Sequence, residues 1–229
     1  MPAISRRFYA RRIKMKYHII PVTAFQQNCT LLWCEQTREA AVVDPGGESA
    51  KILREIAARD LTVTQILLTH GHIDHVGAAA RLAQTLSVPI YGPQQEDQYW
   101  LEQLSQQADM FGFTDCQPFM PTRWLQQGDE LTVGKERLAV LHCPGHTPGH
   151  VVYFCEQARL AQVGDVLFRG SIGRSDFAGG NHQDLINSIW TRLFTLGDDV
   201  AFIPGHGPMS TIGEERRSNP YVRDEPENW

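Results

Sequence analysis

Residues 69–75 read Thr69-His70-Gly71-His72-Ile73-Asp74-His75, between an apolar run ending at Leu68 and an amphipathic run beginning at Val76. Four side chains able to ligate a metal fall within six positions. In an extended segment residues i and i+2 project to the same side, so His70 and His72 can grip one ion together. The chain then turns into a helix, which redirects Asp74 and His75 toward a neighbouring position. Asp74 gains further from standing before a helix N-terminus, where partial positive charge collects. A polar surface turn would leave so dense a cluster of a scarce residue unexplained.

Four ligands make half of a two-metal site, and the remainder is expected from other strand ends. His146 lies in Cys143-Pro144-Gly145-His146-Thr147-Pro148-Gly149-His150, directly after a strand-like run. Asp165 lies in Val163-Gly164-Asp165-Val166, and His206 in Ile203-Pro204-Gly205-His206-Gly207-Pro208. Singly, a loop histidine is more often solvated than metal-bound; the shared position after an apolar strand is what joins these three to the first cluster. His142 and His150 flank His146 and are read either as hydrogen-bonding partners of a ligand or as packing residues. His18 and His182 have no ligand context.

Outward from the motif, the punctuation predicts alternating strands and helices. Runs rich in β-branched and apolar residues place strands at 17–22, 30–34, 40–43, 65–68, 130–133, 138–142, 151–155, 160–163 and 201–203. Asp44-Pro45-Gly46-Gly47 reads as a strong turn. Helical periodicity covers 49–59, 76–86, 94–107, 184–196 and 212–217, with 108–124 expected as a long loop. Two blocks of mostly β followed by α point to sheets packed together and covered by helices outside.

Thr-His-x-His-x-Asp-His, then Pro-Gly-His-Thr-x-Gly-His, Gly-Asp and Pro-Gly-His-Gly in that order, resembles the metallo-β-lactamase superfamily. Within it the chain resembles the glyoxalase II (hydroxyacylglutathione hydrolase) branch, in a short form lacking a C-terminal helical domain. The resemblance runs from about Met15 to the end. It implies an α/β fold, the four-layer αββα sandwich, with the site along one sheet edge. It assigns His70, His72 and His146 to a first metal, Asp74, His75 and His206 to a second, and Asp165 to both, with Asp74 and Asp165 also serving catalysis.

The reaction so implied is hydrolysis of the thioester of S-(hydroxyacyl)glutathione, S-lactoylglutathione being the type case, giving a hydroxy acid and glutathione. A hydroxide shared by two metals would attack the carbonyl, since metal-bound water ionises at a pKa of roughly 7. Imidazole and carboxylate ligands suit zinc, the first choice here, and also iron or manganese. Only 23 residues follow His206, too few for the helical domain that holds glutathione in long-form enzymes. Arg174, in Phe168-Arg169-Gly170-Ser171-Ile172-Gly173-Arg174, is then the candidate substrate contact and Arg169 a second choice; a solvated loop arginine is the competing reading. Because fold does not fix function, three alternatives stay open. They are another carbonyl hydrolase of this fold (a lactonase or β-lactamase), a mononuclear iron persulfide dioxygenase using His70, His146 and Asp165, and a non-enzymatic metal-binding module.

Bulk properties narrow the partners. The net charge of −5 hides five cations and no acid in residues 1–14, so the body is strongly acidic. That argues against nucleic acid as a general partner and disfavours a nuclease. The basic start lacks an apolar core and cleavage site, so it is no secretory signal; it is expected as an extension, with the single domain at 15–229. No run approaches the roughly 18 apolar residues of a membrane span. Five cysteines at 29, 34, 116, 143 and 155, without a Cys-x-x-Cys pair, form no disulfide framework and suit a reducing cytoplasm. Nothing signals self-association, so a monomer is expected.

Overall fold

A computed structural model describes residues 15–223; the basic stretch 1–14, expected as an extension, lies outside the described residues. The chain opens with a meander of β1 (Met15–Val22), β2 (Gln27–Cys34) and β3 (Glu39–Val43). Then come α1 (Ser49–Ala58), β4 (Thr62–Leu67), α2 (Ile73–Val76), α3 (Ala79–Leu86) and β5 (Ile90–Tyr91). A 3₁₀ turn at Gln95–Asp97 leads into α4 (Gln98–Glu102) and α5 (Leu104–Phe111). The second half carries β6 (Glu130–Val133), β7 (Glu136–His142), β8 (Val151–Cys155) and β9 (Leu160–Gly164). A small hairpin follows, β10 (Leu167–Phe168) and β11 (Ser171–Ile172), then α6 (His182–Ser188), β12 (Ala201–Pro204), β13 (Ser210–Thr211) and α7 (Ile212–Ser218).

The first sheet has the order β1-β2-β3-β4-β5 and the second β13-β12-β9-β8-β7-β6. Both are mixed: β3, β4 and β5 run parallel, as do β9 and β12, while the other neighbours are antiparallel. Successive side chains of a strand point to opposite faces, and here both faces are covered. Leu31, Val42 and Ile66 meet Ile52, Ile56 and Leu82 of the helices, whereas Leu32, Ala41, Val43 and Leu67 meet Leu131, Leu138, Val151 and Tyr153 of the other sheet. On the far side Val152, Phe154 and Phe202 pack on Leu185, Ile189, Phe194 and Ile212. Three cores between four layers make the expected αββα sandwich. Strands buried on both faces explain why the apolar runs in the sequence lack strict alternation.

Three expectations need correction. The helical stretch expected over 94–107 is a 3₁₀ turn and two short helices that break at Gln103 and run on to Phe111, where Gly112 in the left-handed region (φ 71°) ends them, so the expected loop starts later. The helix expected over 76–86 is two pieces, because Ala78 N–H donates to Pro45 O (2.9 Å) and not within one continuous helix. The helix expected over 184–196 ends at Ser188 and continues as a π-type turn, Ile189–Leu193, and a 3₁₀ turn, Phe194–Leu196. Among the described residues no helix is long and apolar enough to cross a membrane.

The C-terminal ends of β3, β4, β7, β9 and β12 meet at one edge of the sandwich. There the halves are tied by backbone bonds, Asn28 N–H to Gly205 O (2.7 Å) and Val151 N–H to Thr69 O (2.8 Å). The Asn28 amide adds two more, to Pro204 O and Gly207 O. Leu67 sits at the centre of the sheet-to-sheet core and is fully buried. Leu67→Ala is expected to lower the unfolding free energy by about 2–5 kcal/mol in a urea titration. A loss under about 1 kcal/mol would show that the two sheets do not pack tightly there.

Candidate metal centre

Each candidate ligand is delivered by a strand end. His70 and His72 leave the end of β4 in extended backbone, Asp74 and His75 ride the single turn α2, and His146 comes from the loop after β7. Asp165 follows β9 directly, and His206 follows β12. Gly205 is required beside it, because a Cβ there would press on the His75 ring and the Asp165 carboxylate. All seven residues come together at one edge. His70, His72 and His146 form one group of potential ligand atoms, and Asp74, His75 and His206 another.

In the first group the three rings converge on one point: His72 Nδ1 lies 3.1 Å from His70 Nε2 and 3.0 Å from His146 Nε2. In the second, His206 Nε2 is 3.2 Å from Asp74 Oδ2, and His75 Nε2 is 3.9 Å from the same oxygen. Asp165 stands between the groups, 3.6 Å from His146 Nε2, 3.4 Å from His75 Nε2 and 3.7 Å from His206 Nε2.

What lies behind the rings decides which nitrogen faces the centre. His70 Nδ1 is 3.0 Å from Thr69 Oγ1, whose own hydroxyl donates to Asp44 (2.6 Å). His75 Nδ1 is 3.0 Å from Asp44 Oδ2. His146 Nδ1 donates to the carbonyl of Arg174 (2.7 Å), and His206 Nδ1 to that of Phe25 (3.1 Å). An acceptor behind Nδ1 holds the proton there, which leaves the Nε2 lone pair aimed inward, as a metal-ligating imidazole requires. His150 plays a supporting part: its Nε2 accepts from Asp165 N–H (3.1 Å) and its ring stacks on His70 at 4.7 Å. His142 bonds Pro148 O instead, away from the ligand atoms.

The electrostatics match this division. Burial holds His70, His72 and His146 below the usual imidazole range, His72 at about 3, so these rings keep their lone pairs. Burial would raise Asp165, but His75, His146 and His206 outweigh it and hold the carboxylate well below its ordinary range. His75 Nε2 and Asp165 Oδ1 are both buried without a hydrogen-bond partner. Unpartnered buried polar atoms are costly; despite burial, the carboxylates hold His75 and His206 above the usual imidazole range, and a divalent cation would replace those protons on the same donor atoms. The residues therefore fit such an ion.

Sequence reasoning missed Asp44. Its Oδ1 accepts from Thr69 N–H at 2.7 Å, in addition to the two contacts above. In the sequence it is hidden inside a turn signature; only its φ of 48°, a sparsely populated region for a non-glycine residue, marks it as special.

The ligand atoms open onto a cavity of about 510 Å³ walled by Phe25, Phe111, Phe168, Ile172 and Phe177. Arg174 lines this cavity with an exposed side chain that is paired through Nε and Nη2 to Asp176 (3.0 and 2.9 Å) and lies over the Phe177 ring at 4.5 Å. Arg169 is exposed in the β10–β11 turn and is not among the residues that line the cavity.

Residues 22–206, which include every candidate ligand, match the Metallo-beta-lactamase superfamily. Hydroxyacylglutathione hydrolase GloC of Haemophilus influenzae is 47% identical over 209 residues, covering 91% of this chain and 98% of that protein. Among solved structures, BLEG-1 B3 metallo-beta-lactamase superposes with a TM-score of 0.84 at 34% identity, over 91% of this chain and 100% of the other. TTHA1623 in a di-iron-bound form gives 0.81 at 36% identity, over 90% and 100%. Matched along most of its length in both sequence and fold, the chain belongs to the metallo-β-lactamase superfamily.

Proposed function

We propose that this chain is a binuclear metallohydrolase that cleaves the thioester of S-(hydroxyacyl)glutathione, releasing a hydroxy acid and glutathione. His70, His72 and His146 would hold one divalent ion, Asp74, His75 and His206 the other, with Asp165 shared. The observation that carries the two-metal part is the second ligand group, Asp74-His75-His206, which faces the same cavity as the three-histidine group. The substrate follows from the 47% identity to hydroxyacylglutathione hydrolase GloC across nearly the whole of both chains. Zinc is the first choice of metal; the similarity to a di-iron-bound protein keeps iron as the alternative.

Bound there, two metal ions supply Lewis acidity toward a carbonyl oxygen and acidify water to a nucleophile near neutral pH. The chain's own residues do the rest. Thr69, Asp44 and the carbonyls of Arg174 and Phe25 fix the rings, so that no reorganisation is needed as charge develops. The aromatic walls exclude water from around the reacting carbonyl. Arg174, at the rim, is the cation available to a carboxylate of the thiol moiety once it leaves Asp176. The cysteines are all unpaired, in keeping with work in a reducing cytoplasm.

A second reading, another carbonyl hydrolase of the same fold, is favoured by the 34% identity to a B3 metallo-β-lactamase. Purified protein assayed on S-lactoylglutathione, a lactone and a β-lactam, with metal counted in the same sample, separates the readings. Turnover of the thioester above the other two, with about two metals per chain as a two-metal site holds, is the expected result. No thioester turnover with two metals would move the function to the other carbonyls, and a single iron without hydrolysis would move it to the mononuclear dioxygenase.

Two substitutions test the residue roles. Asp44→Asn keeps the shape but turns a donor toward Thr69 or His75, and should lower kcat/KM by roughly 10–100-fold, the usual cost of losing a ligand's outer partner. Asp74→Ala removes a ligand and should cost more than that, while the circular dichroism spectrum stays unchanged. Full activity in a folded Asp74→Ala protein would sink the two-metal assignment.

A further inference from the structure

Asp97 ends the 3₁₀ turn before α4, outside the metal-ligand motifs, and is completely buried. Its carboxylate accepts three hydrogen bonds from two separate loops. Oδ2 takes Gly71 N–H (2.8 Å) and the Thr147 hydroxyl (2.8 Å), and Oδ1 takes Gly149 N–H (2.6 Å). Gly71 stands between His70 and His72, while Thr147 and Gly149 follow His146. One carboxylate thus spans both chain segments that supply the three-histidine group. Among the described residues it makes no salt bridge.

The glycines show that the sequence is built around this contact. A Cβ at Gly149 would lie 2.5 Å from Asp97 N and 2.8 Å from Asp97 Cβ, and one at Gly71 would lie 2.7 Å from Trp100 Cβ. Neither loop could approach the 97–100 segment with a larger residue. The segment is fixed in turn by Gln94 N–H donating to Gly149 O (2.9 Å), and by Trp100 packing edge-on against the His72 ring at 4.4 Å. A buried carboxylate without a cation is a costly way to join two loops. Burial pushes Asp97 up to about 7 despite its three donors, so the group is retained against a stability penalty. The second ligand group does not touch it; that half is backed by Asp44 and Phe25 O.

We infer that Asp97 is a positioning residue that clamps the two loops bearing His70, His72 and His146, and so sets the metal affinity of that group alone. The inference rests on the two-metal reading above. Asp97 reaches the three-histidine group alone, whereas Asp44 backs His75 directly and His70 through Thr69.

The test is metal affinity, read by competition with a chromophoric chelator, alongside melting of the metal-stripped proteins. In Asp97→Asn one amide N–H must face a donor. His206→Ala weakens the other ligand group, so the metal that remains in it reports on the three histidines. The Asp97→Asn/His206→Ala protein should hold that metal roughly 10–100-fold more weakly than His206→Ala alone. Stripped Asp97→Asn should melt close to the stripped wild type, since the lost hydrogen bond is offset by removal of a buried charge. Unchanged affinity would overturn the clamp, as would an equal weakening of both groups with a lower melting temperature, which marks a general folding role. Should Asp97→Asn be insoluble, Thr147→Val removes one of the three donors at constant volume; it should weaken the same metal, and unaltered affinity would overturn the proposal. A wild-type protein that binds no metal would instead sink the two-metal reading, before any variant is compared.

Discussion

The Asp44 carboxylate is the interaction on which the metal edge depends. It stands at the end of β3 and is bonded by the backbone N–H and the hydroxyl of Thr69, at the end of β4, and by the ring of His75 beyond the next turn. Those three contacts fix the relation of two strand ends, the entry into α2 and the orientation of two rings, because Thr69 also backs His70. The arrangement carries its own cost, a buried charge and a backbone at φ 48°, and strain of that kind persists only where the surroundings over-determine it. The surroundings here are two sheets whose β3, β4, β7, β9 and β12 all end on the same edge, so each strand terminus can deliver one polar group.

That edge brings together three imidazoles that burial keeps neutral, His70, His72 and His146, with ionised carboxylates that, despite burial, hold His75 and His206 above the usual imidazole range. Neither set is stable alone in a dry interior. Neutral rings with inward lone pairs gain nothing from one another, and ionised carboxylates without a cation bear a desolvation penalty. Positive charge reconciles them, as protons on His75 and His206 or as a cation taking the place of those protons on the same donor atoms. Second-rank contacts to Thr69 Oγ1, Arg174 O and Phe25 O therefore matter as much as the ligands, since a ring rotated to place its N–H inward would no longer fit.

The sequence displayed the candidate ligands clearly and their supports hardly at all, and the reason is local density. His70, His72, Asp74 and His75 stand out because four ligand types are crowded into six positions; His146, Asp165 and His206 stand out because each follows an apolar strand. Asp44 sits in Asp-Pro-Gly-Gly, where turn chemistry alone accounts for an aspartate. Asp97 is one acid in the polar run Gln94-Gln95-Glu96-Asp97-Gln98, and nothing local tells a buried carboxylate from a solvated one. The four-layer fold was legible because strands buried on both faces are nearly continuous apolar runs. The two-residue strands β5, β10, β11 and β13 were not, since pairing of that length depends on what the sandwich brings alongside.

The cavity wall is drawn from segments other than the strands that form the metal edge. Phe25 comes from the β1–β2 turn, Phe111 from the end of α5, Phe168 from the β10–β11 hairpin and Phe177 from the loop before α6. None of these segments belongs to the sheet-to-sheet core around Leu67, so their side chains can change without disturbing the packing of the two sheets. Two are tied directly to the metal edge: the carbonyl of Phe25 holds the His206 ring, and the Phe177 ring packs edge-on against His72 and His146 at 4.8 and 5.5 Å. A backbone contact like that of Phe25 survives a change of side chain. At Phe25 the cavity wall and the metal edge thus use different atoms, side chain and carbonyl, whereas at Phe177 one ring serves both.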